Sequence, residues 1–294
     1  MDFIKRDIFD TDFVVDKCSN FLADYLKQTG AKGYVIGLSG GVDSTAAAAL
    51  AVNAVGEDNV YGLMLPCSPP NDISRKSDIE DAADVVQHLH IKNKMINMYD
   101  EAISLHKKIN NYSDENLILG NIKARLRMMA LRAKAEELGY LVLGTTNRPE
   151  DVLGYFTKGG DGGSGVDVEP MQQLYKWEVR GIVNHFGFND KLVNRIPTAG
   201  LWTGQTDEKE LGFSYNIIDW TLMSKIDSTL VDLTQSNIES FIDNVTMNLE
   251  ALGVGPLKTD TDKFFDEVAQ FIINKYNKSA HKRNSAPFTN LSNE

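Results

Sequence analysis

A doubly wound α/β fold on a parallel sheet, with extra helices toward the C-terminal end, is the architecture this sequence predicts. Three observations carry that expectation. Short apolar, β-rich runs recur at 34–38, 60–65, 94–98 and 140–144, and helical patterns lie between them at 43–55, 74–90 and 114–138. Regular alternation of the two means parallel βαβ units joined by right-handed crossovers. The first run also passes through a Gly-Gly turn directly into an Ala-rich helix, the kind of join at which such folds hold ligands.

Each element has its own justification. Residues 11–29 read as a first helix, with apolar residues at Phe13, Val14, Cys18, Leu22 and Leu26 spaced to share one face. The run Tyr34–Val35–Ile36 is a short buried strand, and the helix that follows the Gly-Gly turn is stopped by Gly56. The long pattern at 114–138 is stopped by Gly139. Beyond about residue 170 the chain reads as mainly helical, at 176–186, 215–224, 238–252 and 262–276. No repeat and no long linker divides it, so residues 1–294 read as one domain of Rossmann-like type. The segment 154–165, GYFTKGGDGGSG, has a linker's composition. It is flanked by pocket-type residues, so a lid over a substrate is the other reading.

The most informative stretch is 37–45, GLSGGVDST. It sets the N–H groups and positive dipole end of a helix start beside Ser39, Asp43 and Ser44, with glycines that let an anion such as pyrophosphate approach the backbone. It is neither a Walker loop nor GxGxxG. A plain strand-to-helix turn capped by Asp43 or Ser44 is the simpler alternative. Carboxylates beside phosphates make sense where Mg²⁺ bridges them.

Bulk properties narrow the function classes. The chain has 294 residues, 42% hydrophobic and 24% charged, as in ordinary soluble enzymes. A net charge of −11 argues against general nucleic-acid binding. It also requires that any phosphate substrate meet a local cluster of cations. No apolar run approaches the roughly 18 residues of a membrane span, and the N-terminus shows no secretory pattern. Two cysteines, Cys18 and Cys67, make no disulfide framework or zinc site. A cytoplasmic location is the expectation.

The SGGVDS loop resembles that of the ATP pyrophosphatases. Four further segments make the resemblance specific: GNIKARLRM at 120–128, VLGTTNRPEDVLGYFTKGGDGG at 142–163, IPTAGLW at 196–202 with DEKELG at 207–212, and HKR at 281–283. In this order and spacing the chain resembles ammonia-dependent NAD synthetases, with a fold of the adenine-nucleotide α-hydrolase type. The resemblance implies that the nicotinate carboxylate of deamido-NAD attacks the α-phosphorus of ATP, giving an acyl-adenylate and pyrophosphate. Ammonia, free or delivered by a separate protein, then releases AMP and NAD.

The resemblance also implies roles for residues. Gly37, Leu38, Ser39, Gly40, Gly41, Val42, Asp43 and Ser44 would hold the ATP phosphates, with Thr145, Lys176 and Thr198 as further ATP contacts. Asp43 and Glu150 would hold Mg²⁺, and Asp43, Lys176 and Thr198 would serve catalysis. Arg125, Lys158, Asp167, His281 and Lys282 would contact deamido-NAD, and the assembly would be a homodimer. Glu150, after Pro149, also suits the first turn of a helix. Arg125 and Lys158 could equally be solvated surface residues, and Asp167 the outer face of a strand. The chain departs from the bacterial pattern at Val42, at 146–149 (TNRP), at 67–72 (CSPPND) and in two additional residues before Asp167. A GMP-synthetase-like amidation would share the loop but not the GYFTKGGDGG stretch. A catalytically silent nucleotide-binding module would have no need of Asp43, Glu150 and Lys176 together.

Overall fold

In the computed structural model, residues 10–69, 72, 76–109, 115–198, 200, 204–227 and 261–283 are described. The strands β1 (Tyr34–Gly37), β2 (Val60–Met64), β3 (Lys92–Met95) and β4 (Leu141–Val142) form one parallel sheet in the order β3-β2-β1-β4. Tyr34 of β1 lies opposite Val60 on one side and Leu141 on the other.

Strand periodicity then decides what covers each face. Tyr34 and Ile36 join the cluster built with α1 (Thr11–Thr29), α2 (Val42–Val55), α3 (Lys76–Leu89) and α7 (Lys176–His185), while Val35 joins Met128, Leu131 and Ala135 of α5 (Glu115–Leu138). Helices therefore cover both faces, as the doubly wound expectation requires. Ala46, Ala47, Ala48, Ala49 and Ala51 of α2 are fully buried, because only small side chains let a central helix lie close to its neighbours. Burial of large aliphatic residues such as Leu22 and Leu50 stabilises this layer by about 1.5–3 kcal/mol each.

A third apolar cluster lies to one side. It joins α6 (Arg148–Leu153), the helix α9 (Asp207–Leu211), α10 (Tyr215–Thr221) with its π-helical continuation Leu222–Ile226, and α11 (Thr261–Lys278). These are the extra helices expected from the sequence. The expected helix at 238–252 lies outside the described residues.

Several boundaries differ from the sequence reading. Strand β3 begins at Lys92 rather than at 94, although Ile96 and Met98 continue to donate to Met64 O and Pro66 O. All four of its residues are exposed and two are lysines, which suits an edge strand and hides the apolar alternation. The helix α4 (Tyr99–Ile109) was not anticipated, because among its residues only Ala102 is buried. The glycine-rich segment is packed rather than a free linker. Gly154 closes α6 in the left-handed region, Thr157 N–H donates to Asp161 at 2.8 Å, Lys158 bridges Gly162, and Arg132 holds Gly165 O at 2.7 Å. Among the described residues no helix is long and apolar enough to cross a membrane.

With β1 flanked by β2 and β4, the chain reverses direction across the sheet at β1 and β4. The carboxyl ends of these two strands are the topological switch point.

Candidate active site

A cavity of about 370 Å³ opens at that switch point, lined on one side by residues 37–39 and 41–44 and on the other by Gly144, Thr145, Thr146 and Glu150. The loop after β1 is internally braced. Ser44 Oγ accepts from Ser39 N–H at 3.3 Å, lies 3.1 Å from Ser39 Oγ, and donates to Gly41 O at 3.1 Å. Gly41 is the N-cap of α2 and supplies no side-chain cap, so the N–H groups of the first turn are offered to an anion rather than to a capping oxygen. Asp43 and Ser44 sit inside the helix, which removes the plain capped-turn reading.

Three charged side chains meet beneath this loop. Lys176 Nζ, 1% exposed, lies 2.9 and 2.7 Å from the Asp43 oxygens and 2.9 Å from Glu150 Oε1. Asn147 Nδ2 donates to Asp43 at 2.9 Å. The Lys176 ammonium also lies 4.5 Å from the centroid of the Tyr215 ring. Burial alone would lower Lys176, but the adjoining Asp43 and Glu150 carboxylates hold it above the usual lysine range. Glu150 is pushed up to about 8, first by burial, with Asp43 adding to the rise and Lys176 opposing it. Lys176 is thereby held charged, and Glu150 takes up a proton more readily than a free glutamate does.

Glu150 takes the first-turn position that the sequence allowed. As the third residue of α6 it closes a capping box with Asn147, and its other oxygen faces Lys176.

Lys176 is itself positioned by groups that sequence reasoning missed. Asp219, fully buried in α10, accepts from the backbone N–H groups of Lys176 and Trp177, each at 3.2 Å. Burial pushes Asp219 up to about 7 from an ordinary 3.8, against the pull of those two donors. The folded state thus retains a proton that the unfolded chain gives up. The associated stability is present below about pH 4 and is lost as pH rises through about 7. Asp219→Asn should accordingly flatten the decline of melting temperature between these limits in the ligand-free protein. An unchanged slope would exclude Asp219 as its source.

The acid-rich side of the cavity was also unanticipated. Asp207, buried at the start of α9, accepts from Tyr215 at 3.2 Å and Tyr155 at 3.3 Å, and Tyr215 lies 3.5 Å from Glu150. The sequence held the DEKELG string but no spacing that marked Asp207 or Tyr215.

Thr145 and Thr198 line the cavity as expected, with Thr198 Oγ1 donating to Gln205 O at 2.8 Å. Of the expected deamido-NAD residues, Arg125, Lys158, His281 and Lys282 come together, though away from the cavity wall. Arg125 donates to Lys158 O at 3.2 Å, Lys158 Nζ to His281 O at 2.5 Å, and Lys282 Nζ to Gly154 O and Phe156 O at 2.8 Å each. Burial lowers Lys282. Asp167 stands apart from them. One oxygen meets Arg132 at 2.5 Å and the other accepts from Val142 N–H at 2.7 Å, so it ties the end of the glycine-rich segment to β4.

The cations that do face the cavity include Lys123, Arg127 and Arg195. Lys123 and Arg127 are four residues apart on α5 and share a face, whereas Arg125 between them points elsewhere. That spacing was the available signal.

Comparison with known proteins bears on this geometry. Residues 14–286 match the family described as NAD synthase. The chain belongs to the NAD synthase family. Among relatives, it is 44% identical to an NH(3)-dependent NAD(+) synthetase of Thermococcus kodakarensis, over 72% of this chain and 80% of the relative. Its structure resembles NMN synthetase from Francisella tularensis, at 30% identity and TM-score 0.74, covering 97% of this chain and all of the other. It also shares its fold with an NH3-dependent NAD synthetase from Campylobacter jejuni, at 24% identity and TM-score 0.69. The switch-point cavity of this NAD synthase family member is thus where its loop, acid pair and buried lysine converge.

Proposed function

We propose that the chain is an ammonia-using NAD synthetase, a ligase that joins ammonia to the nicotinate carboxyl of deamido-NAD at the expense of ATP. The observation that carries the reading is the Lys176–Asp43–Glu150 cluster beneath the SGGVDS loop, in a chain of this family. A carboxylate is a poor acyl donor, and adenylation supplies the leaving group. What the protein must contribute is positioning and charge neutralisation at the phosphates. The N–H groups at the start of α2 receive pyrophosphate oxygens, Lys176 supplies a fixed buried cation, and Thr145 and Thr198 border the nucleotide.

Mg²⁺ fits the donor set. Asp43 and Glu150 offer hard carboxylate oxygens beside the phosphate loop, which Mg²⁺ would share with the Lys176 ammonium. Among the described residues no group of three or more His, Cys, Asp or Glu side chains gathers. An ion of this kind needs only one or two protein carboxylates together with substrate phosphates. When bound it would neutralise charge on the pyrophosphate leaving group. Arg125, Lys158, His281 and Lys282 form the basic edge assigned to deamido-NAD, and Asp167, apart from that edge, is assigned to the same substrate on the family likeness alone. A homodimer, a single domain over 1–294 and a cytoplasmic setting complete the proposal.

A second reading is amidation of the mononucleotide. It is favoured by the near-complete coverage of both chains in the likeness to the Francisella tularensis NMN synthetase. An assay with Mg²⁺-ATP and ammonium chloride, following AMP, pyrophosphate and pyridine product, tests both. One-to-one-to-one formation of NAD, AMP and pyrophosphate from deamido-NAD is expected. A higher kcat/KM with nicotinate mononucleotide would transfer the assignment to the second reading, and no AMP with either would reject both.

A further inference from the structure

We propose that Arg195 is a positioning residue of the phosphate loop, fixing the Gly40–Gly41 peptide so that the loop keeps its N–H groups turned to pyrophosphate. The proposal rests on the ATP-dependent reading above and adds a residue that the sequence comparison did not mark.

The geometry is specific. Arg195 Nη1 donates to Gly40 O at 2.6 Å and lies 2.9 Å from Asp81, and Nη2 pairs with Asp78. The opposite edge of the same peptide is also held, since Gly41 N–H donates to Ser39 Oγ at 3.2 Å. Gly40 has φ +72, and a Cβ there would stand 2.5 Å from Asp78 O and 3.0 Å from Arg195 Nη1. The loop is therefore seated against α3 at a residue whose backbone tolerates several orientations. Without a donor on its carbonyl, a Gly-Gly peptide turns easily, and a reversed carbonyl would face the phosphates with the wrong sign of dipole.

Charge arrangement supports the same role. Asp81 is buried at 4% exposure, and Asp78 stands one helical turn before it on α3. Together they orient the guanidinium fork, which is 17% exposed. A planar fork reaches two carboxylates and a carbonyl at once, which an ammonium cannot do with the same geometry. Arg195 also begins the segment that carries Thr198, so one side chain registers the Thr198 segment, α3 and the loop against each other. Lys191, the other cation on Asp81, is largely exposed and has its partner on α3 rather than on the loop.

The test compares Arg195→Met, Arg195→Lys and Lys191→Met with the parent protein. The readouts are KM for ATP, deamido-NAD and ammonium, together with direct calorimetric binding of inorganic pyrophosphate in Mg²⁺. Folding is checked by circular dichroism. Both Arg195 variants are expected to raise KM for ATP and weaken pyrophosphate about tenfold or more, lysine less than methionine, with KM for deamido-NAD within about twofold. Lys191→Met is expected to match the parent. If Arg195→Met does not fold, Arg195→Lys decides alone. A folded Arg195 variant with parental ATP and pyrophosphate affinities, an equal loss for every substrate, or a parent protein that binds no pyrophosphate overturns the proposal. A parent that binds pyrophosphate but makes no NAD or NMN refutes the synthetase reading instead.

Discussion

Lys176→Met is expected to lower kcat/KM of the synthetase reaction by about a thousandfold, as loss of a fixed, desolvated charge at a reacting phosphoryl group does. The ammonium is buried between Asp43 and Glu150, so its removal does more than withdraw a cation. It leaves two carboxylates facing one site with no counter-charge, and the cheapest relief is a proton on one of them. Glu150, already pushed up to about 8 by burial, is the group to take it. Its folded-state affinity for the proton then rises further. The sign follows from linkage. Stability in the variant is retained at low pH and lost as pH rises through the elevated Glu150 value, so the melting temperature should fall more steeply from pH 6 to 9 than in the parent. Adding Glu150→Gln should remove most of that slope. Melting curves of the ligand-free proteins, with AMP release at saturating ATP, check both parts. A folded Lys176→Met protein that still releases AMP at the parental rate would remove Lys176 from the mechanism.

The sheet and the loop at its switch point were legible because both are written locally. Apolar runs of strand length, Gly56 and Gly139 as helix stops, and GLSGGVDST between a strand and a helix need no tertiary information. The helix Thr11–Thr29 begins and ends where its apolar spacing and Gly30 place it. What escaped depends on which side of an element meets another. Arg125 and Arg127 look alike in sequence, yet two positions along a helix is more than half a turn, and it is Arg127 that enters the cavity wall. Asp219, in α10, and Asp227, just after the π-helical turn, are single acids with no motif. Their meaning comes only from the burial of the α7 N-terminus and of Arg148 against them. The glycine-rich segment has a linker's composition, and its packing could not be read there because distant partners such as Arg132 and Ala124 supply it.

The largest expected effect on stability lies in the link between the late helices and the site. Asp227 is fully buried just after the π-helical turn, with its N–H bonded to Leu222 O at 2.6 Å. It receives Arg148 through Nη2 at 2.5 Å and Nε at 3.3 Å, and Tyr175 Oη at 3.0 Å. Arg148 follows Asn147, which holds Asp43, and Tyr175 precedes Lys176, so one carboxylate fastens both chain segments that deliver the acid pair and the lysine. Arg148→Met keeps most of the side-chain volume but strips the charge partner from a carboxylate with no access to water, which costs about 3–5 kcal/mol. Arg148→Met combined with Asp227→Leu removes both charges together, and the double variant should recover a large part of that loss, because burying apolar groups of similar size is close to neutral. Activity separates a brace from a mere core contact. If the pair positions the site, the double variant should regain melting temperature yet retain a kcat at least about tenfold below the parent, since a small displacement of Glu150 and Lys176 weakens a reaction that depends on alignment. Denaturant titration of the three proteins together with kcat at saturating substrates gives the answer. A single Arg148→Met variant as stable as the parent would mean that Asp227 is stabilised by Tyr175 and its backbone neighbours alone, and a double variant with full kcat would mean that the late helices support the fold without steering the site.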